Sequence, residues 1–424
     1  MKCFIAVVLT LMLCLTMVGC GGSQGSADTQ ITFDTDFFSG ATHIEADPAH
    51  EVITDDARIA LADFALELLR QNEGQTQDNI LVSPLSALGA MTMAANGAQG
   101  ETLRQIETST GMPLSMLNAW FSQIMGDMLA RNAGAMEMAN SIWVNDTGRF
   151  TVNPQFLSFN AEKFGAKIQT IPFNNQAVTA INDWVKEETK GMIPEILEEI
   201  PKDAVMYLFN ALAFRGQWEE QYQTAQVRRD TFTLENGQTR QTELMYHRED
   251  QYILTEDATG FIKPYAGGRY AFVALLPRED LSVEQYLAGL DGNSLVALLD
   301  NDQKTEVNTA LPKFEMEYNA DQSQSLMNMG ITHAFDKNKA DFSLMGEANG
   351  VLYISRVLQR TYIQVNEEGT EAAAATAFEM KLECAPDEET KIPEVILNRP
   401  FVYLILDTKT NFPVFMGTMM DVAG

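Results

Sequence analysis

Apolar residues recur at helical spacing over 57–69, and Gln71-Asn72-Glu73-Gly74 closes that predicted helix. Ser83-Pro84-Leu85-Ser86 opens a second, with proline in its first turn and Gly97 near its end. A third runs over 177–190 (AVTAINDWVKEETK) and stops at Gly191. Runs rich in β-branched and aromatic residues predict strands at 137–144, 205–214, 270–276, 362–365, 401–406 and 413–418. Helices lead and strands crowd the C-terminal half, which makes the fold class α+β. From residue 53 onward no Pro/Gly/Ser-rich break is long enough to separate domains and no repeat is visible, so 53–424 reads as one domain.

The first fifty residues follow a different pattern. Lys2 precedes an apolar run over 3–18 and then Gly19-Cys20-Gly21-Gly22, the build of a secretory signal over 1–19. That run is short for a membrane span, which needs about 20 apolar residues. Met17-Val18-Gly19-Cys20 also resembles a bacterial lipobox, in which Cys20 is lipidated and becomes the mature N-terminus; plain secretion is the alternative. Residues 20–52 are polar and without period, a flexible tether. The expected location is extracytoplasmic, secreted or held to a membrane through a lipid alone.

Charge narrows the partners. Lys+Arg 29 against Asp+Glu 58 give a formal net charge of −29, a field that repels nucleic acid and heparin-like polyanions. The only histidines are His43, His50, His247 and His333, and no pair has metal-ligand spacing. Cys3, Cys14 and Cys20 sit in the leader, which leaves Cys384 alone in the body. No disulfide framework, metal site or cofactor is expected, and no nucleophile–base signature points to an enzyme.

Several motifs then fall into a known order. Val365-Asn366-Glu367-Glu368-Gly369-Thr370-Glu371-Ala372-Ala373-Ala374-Ala375-Thr376-Ala377 resembles the hinge of the reactive-centre loop of inhibitory serpins, and Leu397-Asn398-Arg399-Pro400-Phe401-Val402-Tyr403 resembles the serpin C-terminal signature. Asn79-Ile80 with Ser83–Ser86, the set Asn210, Phe214, Gly216 and Trp218, then Leu311-Pro312-Lys313-Phe314 and Ala340-Asp341-Phe342-Ser343 match in the same order. The resemblance implies a single domain with three β-sheets, about nine helices and an exposed reactive loop near 367–393. It implies an irreversible inhibitor, monomeric and without cofactor. Its partner is a target protease, serine type first and cysteine type possible by the same acyl chemistry. While the protease is acyl-linked, the cut loop inserts as an extra strand of the large sheet.

The loop supports that reading through its own alternation. Thr370, Ala372, Ala374, Thr376, Phe378, Met380 and Leu382 are small or apolar, whereas Glu371, Ala373, Ala375, Ala377, Glu379, Lys381 and Glu383 are small or charged. A strand sends these two sets to opposite faces. The same segment, EAAAATAFEMKLE, would also make an amphipathic helix. Within the family the scissile bond follows the seventeenth residue of the loop; with Glu367 first, that is Glu383, so the bond is Glu383–Cys384. Shorter registers place it after Leu382 or Lys381. The stretch from Cys384 to Pro393 is longer than usual for the family, which loosens the count.

Ser83, Ser86 and Asn210 match the family's hydrogen-bonded cluster beneath the sheet, but Gln359 stands where the usual histidine does. Glutamine both donates and accepts, so it can replace the imidazole without its pH sensitivity; otherwise it points elsewhere and the cluster is looser. Trp218 matches the tryptophan at the top of the sheet, and Lys313 with Glu367 an ion pair from sheet to hinge. The second expectation is a serpin-fold protein whose loop is bound or cut without trapping.

Overall fold

The computed structural model describes residues 54–73, 79–131, 135–146, 148–202, 204–300, 304–348, 350–370 and 392–422. The leader, Cys20, the tether and the loop from Glu371 through Glu383 and Cys384 lie outside the described residues, and with them hinge positions Ala372, Ala373, Ala374 and Ala375 and the alternative bonds at Leu382 and Lys381.

The Asp55–Glu73 helix starts on two acids and carries Arg70 in its last turn, matching the helix dipole at both ends. The Pro84–Ala95 helix has Ser83 as its N-cap, Pro84 in its first turn, and hardly any polar face. Apolar all round, it is buried all round, and it runs through the middle of the molecule. The described residues hold nine α-helices.

Behind that central helix stands a six-stranded antiparallel sheet. Its order is Ile80–Val82, Phe412–Met419, Phe401–Asp407, Tyr270–Pro277, Ala258–Pro264 and Gln251–Leu254. Tyr270–Pro277, Phe401–Asp407 and Phe412–Met419 are buried at every position, as their unbroken apolar runs require. A four-stranded sheet pairs Glu394–Ile396, Val307–Pro312, Thr239–Glu249 and Val227–Thr233, and a two-stranded one pairs Phe150–Val152 with Gly346–Ala348.

The remaining strands form one broad layer that is split. We label them β1 (Met136–Asn145), β2 (Lys167–Ile171), β3 (Met206–Phe214), β4 (Gly216–Gln217), β5 (Phe314–Asp321), β6 (Leu358–Val365) and β7 (Gly369–Thr370). One half has the order β2-β1-β3 and the other β5-β6-β7-β4. Because β4 continues β3 after Arg215, the halves meet at the top through the short β7; below it, β3 and β6 share no ladder. The expected three sheets are therefore five hydrogen-bonded units, since one large sheet is parted down its middle and a small pair stands apart.

Strand β6 begins four residues earlier than its sequence suggests. Gln359, Thr361, Ile363 and Val365 face inward while Leu358, Arg360, Tyr362 and Gln364 face outward. The polar pair is buried because each finds a partner: Thr361 Oγ1 donates to the Leu81 carbonyl at 2.7 Å, and Gln359 bonds Ser83. The outer face of β1 and β3 is covered by the Asn175–Glu188 helix and the segment after it. Ile181, Trp184, Val185, Ile193, Ile196 and Leu197 pack there on Trp143, Phe209 and Ala211.

Glu73, half-buried at the end of the first helix, carries a strained charge. Burial, then Glu284 and Glu235, push its carboxyl up to about 7. A raised folded-state pKa means stability that is whole below the ordinary carboxylate range and lost as pH rises through about 7. Glu73→Gln should therefore raise Tm above the wild type at pH 8 by a few degrees, with the difference nearly gone at pH 4. Thermal melts at the two pH values check this, and an equal shift at both contradicts it.

Candidate functional site

The split between β3 and β6 is a cleft of about 430 Å³, lined by Met206–Asn210 on one bank, Val357–Gln359 on the other and the start of the central helix at its floor. Two sheet edges facing each other without a ladder offer backbone donors and acceptors to a further strand.

The polar residues named from sequence meet at this floor, in two groups. On the β6 bank, the Ser83 N–H donates to Gln359 Oε1 at 3.1 Å and Gln359 Nε2 donates to the Ser83 carbonyl at 2.9 Å. Gln359 therefore points inward and grips the helix N-cap from both sides. The Ser83 hydroxyl donates to the Val414 carbonyl and accepts the Ser86 N–H. On the β3 bank, Ser86 Oγ donates to the Asn210 carbonyl at 3.0 Å, and Asn210 Nδ2 donates to Asn140 Oδ1 at 2.7 Å. Asn210 Oδ1 is buried with no hydrogen-bond partner among the described residues. The central helix start thus holds both banks, which share no ladder with each other below β7.

Sequence reading missed part of this cluster. Gln322 donates to Gln359 Oε1 at 3.3 Å and accepts from Asn72, which accepts in turn from the Tyr318 hydroxyl. Asn140 donates to the Phe164 carbonyl at 2.7 Å. Asn140 carried one sequence mark, its place with Ser141 between the apolar pairs Met138-Ala139 and Ile142-Trp143 of β1. Gln322 follows the end of β5 and carries no such mark.

At the top, the hinge folds back on β6 as a tight turn. Asn366 Oδ1 accepts the N–H groups of Glu368 and Gly369, and Thr370 pairs with Val365 on one side and Gly216 on the other. Gly369 has φ of 153°, and a Cβ there would lie 2.0 Å from the Gly216 carbonyl oxygen, so only glycine fits. Trp218 and Tyr222 hold the turn by its carbonyls. Trp218 Nε1 donates to Asn366 O at 2.9 Å, and the backbone N–H groups of Trp218 and Tyr222 donate to Glu368 O and Glu367 O, both at 3.0 Å. The Trp218 ring stacks on Tyr265, 4.5 Å between centres, and the Tyr265 hydroxyl lies 2.6 Å from Thr370 Oγ1.

Lys313 joins Glu367 at 2.8 Å, as the sequence pairing anticipates, and also Glu243 at 2.9 Å. Burial pushes the Glu367 carboxyl up, but the Lys313 ammonium outweighs it and holds the group below its ordinary range. The pair is part-exposed and worth about 0–1 kcal/mol, so it restrains the hinge more than it stabilises the fold.

The layer of strands thus has an open middle, a hinge paired at its upper end and a buried polar floor. The comparisons agree with that geometry. The family model described as serpin, serine protease inhibitor, matches residues 59–422. The leukocyte elastase inhibitor of Sus scrofa is 32% identical over 378 residues, covering 84% of this chain and 97% of that protein. The native state of tengpin, a thermophilic serpin, superposes with a TM-score of 0.81 at 39% identity, covering 87% of this chain and 95% of the other. Thyroxine-binding globulin in complex with thyroxine superposes at 0.74 with 25% identity, covering 86% and 99%. The chain belongs to the serpin family.

Proposed function

We propose that the chain is an irreversible protease inhibitor that traps a serine protease as its acyl-enzyme by inserting the cut loop between β3 and β6. The observation that carries this is the register of the hinge. Thr370 stands opposite both Val365 and Gly216. Continued antiparallel to both banks, the same register sets Ala372 level with Phe214 and Ile363, Ala374 with Leu212 and Thr361, and Thr376 with Asn210 and Gln359. Phe378 then comes level with Leu208 and Val357, inside the cleft.

Side-chain direction agrees with this register. Residues paired across strands share a face, so the set from Thr370 through Thr376 to Leu382 turns inward with Gln359 and Thr361, and the charged set turns to solvent. Small residues pass the narrow top and bulky ones end in the wider part below. A Thr376 hydroxyl level with Asn210 is placed to donate to the partnerless Asn210 Oδ1. Filling the cleft supplies the missing ladder on two edges at once, which drives the strand in and drags the protease, still acyl-linked to the end of the loop, along with it. The elastase-inhibitor relatives favour an apolar residue before the bond, which supports Leu382, whereas the family count supports Glu383–Cys384. The leader pattern supports export and attachment through lipidated Cys20. Thyroxine-binding globulin favours a second reading, a serpin fold that binds and does not trap.

Incubating the full chain with a panel of serine and cysteine proteases tests the proposal. An adduct stable in denaturing gel, with a released peptide starting at Cys384 or one residue earlier, is expected. Clean cleavage by every protease without adduct overturns trapping.

Two variants sharpen it. Ala374→Glu places a charge on the buried face, so adduct should fall at least ~10-fold against cleaved product because an unpaired charge is costly to bury; an unchanged ratio speaks against insertion. Gln359→Ala leaves the buried Ser83 N–H without its partner, while the Ser83 carbonyl keeps the Ala87 N–H, and urea unfolding of the uncut protein should show a loss of about 1–3 kcal/mol. An unaltered midpoint would mean the amide does not secure the floor.

A further inference from the structure

Beneath Trp218 and Tyr222 lies a buried ion pair that loop insertion does not itself use. The Lys263 ammonium is 2.7 Å from Glu249 Oε1, with 1% and 7% of the two side chains exposed. The same carboxylate oxygen lies 3.0 Å from His247 Nδ1, and His247 Nε2 faces Glu220 at 3.7 Å. The ammonium stands 4.5 Å from the centre of the Tyr222 ring and 5.5 Å from that of Trp218, and His247 meets Tyr222 edge-on.

Packing alone does not call for charge here. Apolar side chains of similar volume in place of a buried ion pair are often neutral or stabilising. What the cation adds is confined to what it touches, and it touches two aromatic rings. A ring face is negative, so an ammonium over two faces fixes both rings relative to one another. Those two residues donate three of the hydrogen bonds that hold the carbonyls of Asn366, Glu367 and Glu368, and Gln221 Nε2 adds a longer one to Glu368 O at 3.4 Å. The chain of contact from Glu249 to the hinge is therefore continuous: carboxylate, ammonium, rings, turn.

We propose that Lys263, held by Glu249, is a positioning residue for the hinge. It sets the Trp218–Tyr222 shelf so that the turn at 366–369 starts the inserting strand in the register of Gly369 and Thr370. The consequence for trapping rests on the function proposed above; the effect on the uncut hinge does not.

The test uses the full chain and three variants. Lys263→Met with Glu249→Met removes both charges, and Lys263→Glu with Glu249→Lys keeps the pair but sets a carboxylate against the ring faces. Amide exchange at Trp218, Tyr222 and Glu368 in the uncut protein reads the hinge, Tm reads the fold, and the ratio of adduct to cleaved product reads trapping. The Met pair should fold with Tm equal to or above the wild type, exchange at those amides about tenfold faster through local opening, and trap less well. The reversed pair should match it at the hinge, and Lys263→Arg, which keeps the cation, should restore wild-type exchange. A Met pair that folds with unchanged hinge exchange overturns the proposal. So does one that fails to fold, because the charges are then structural. A wild type that is cut without trapping removes the proposed function and leaves the comparison of hinge exchange intact.

Discussion

Two strand edges lie side by side in the middle of this protein and are not paired with each other. Strands β3 and β6 each have a ladder on their outer side, with β1 and β5, and below the single rung of β7 none toward the cleft between them. A backbone edge removed from its partner carries a cost that native folds avoid by pairing, covering or charging it. Here the cost is retained, and the rest of the architecture can be understood as what holds the edges in that state. The central helix ties one bank through Ser83 and Gln359 and the other through Ser86 and Asn210. The segment after the Asn175–Glu188 helix covers the front of β1 and β3. At the top, one rung of the missing strand is already in place.

That single rung does much to define the fold's behaviour. Opening a register from a free loop requires closing a long segment against two edges at once, with the entropy that implies. With Thr370 already opposite Val365 and Gly216, the register of a strand continuing from it is set, and in the proposed mechanism insertion is propagation from a fixed start. The turn that fixes it depends on one Asn side chain, one glycine with positive φ, and the three donors of Trp218 and Tyr222. A hinge so defined answers to changes several ångströms away, in the residues supporting the aromatic shelf.

Much of this was legible in the sequence, for reasons that differ from residue to residue. The alternation over 370–383 is a pattern of the sequence alone, since 371–383 lie outside the described residues. The apolar runs at 401–406 and 413–418 announced strands, and the structure buries them at every position. Motif order placed Ser83, Ser86, Asn210, Trp218 and Lys313 near one another, and the structure brings them to the floor and rim of one cleft. Gln359 was located by its motif, but whether its amide points inward depends on the N-cap it meets across the fold. The start of β6 was hidden because Leu-Gln-Arg-Thr reads as polar until Ser83 and Leu81 supply partners. Gln322 and the Lys263–Glu249 pair were invisible for the same reason: charged and amide side chains read as surface unless tertiary contacts bury them.

The central claim is that the cleft between β3 and β6 is the seat of the cut loop. Amide exchange over 206–210 and 358–363, before and after loop cleavage by a protease that forms no adduct, tests it most directly. The account predicts that exchange in both segments slows sharply on cleavage, as the unpaired edges gain a strand. Equal exchange before and after, with the loop shown to be cut, would contradict it.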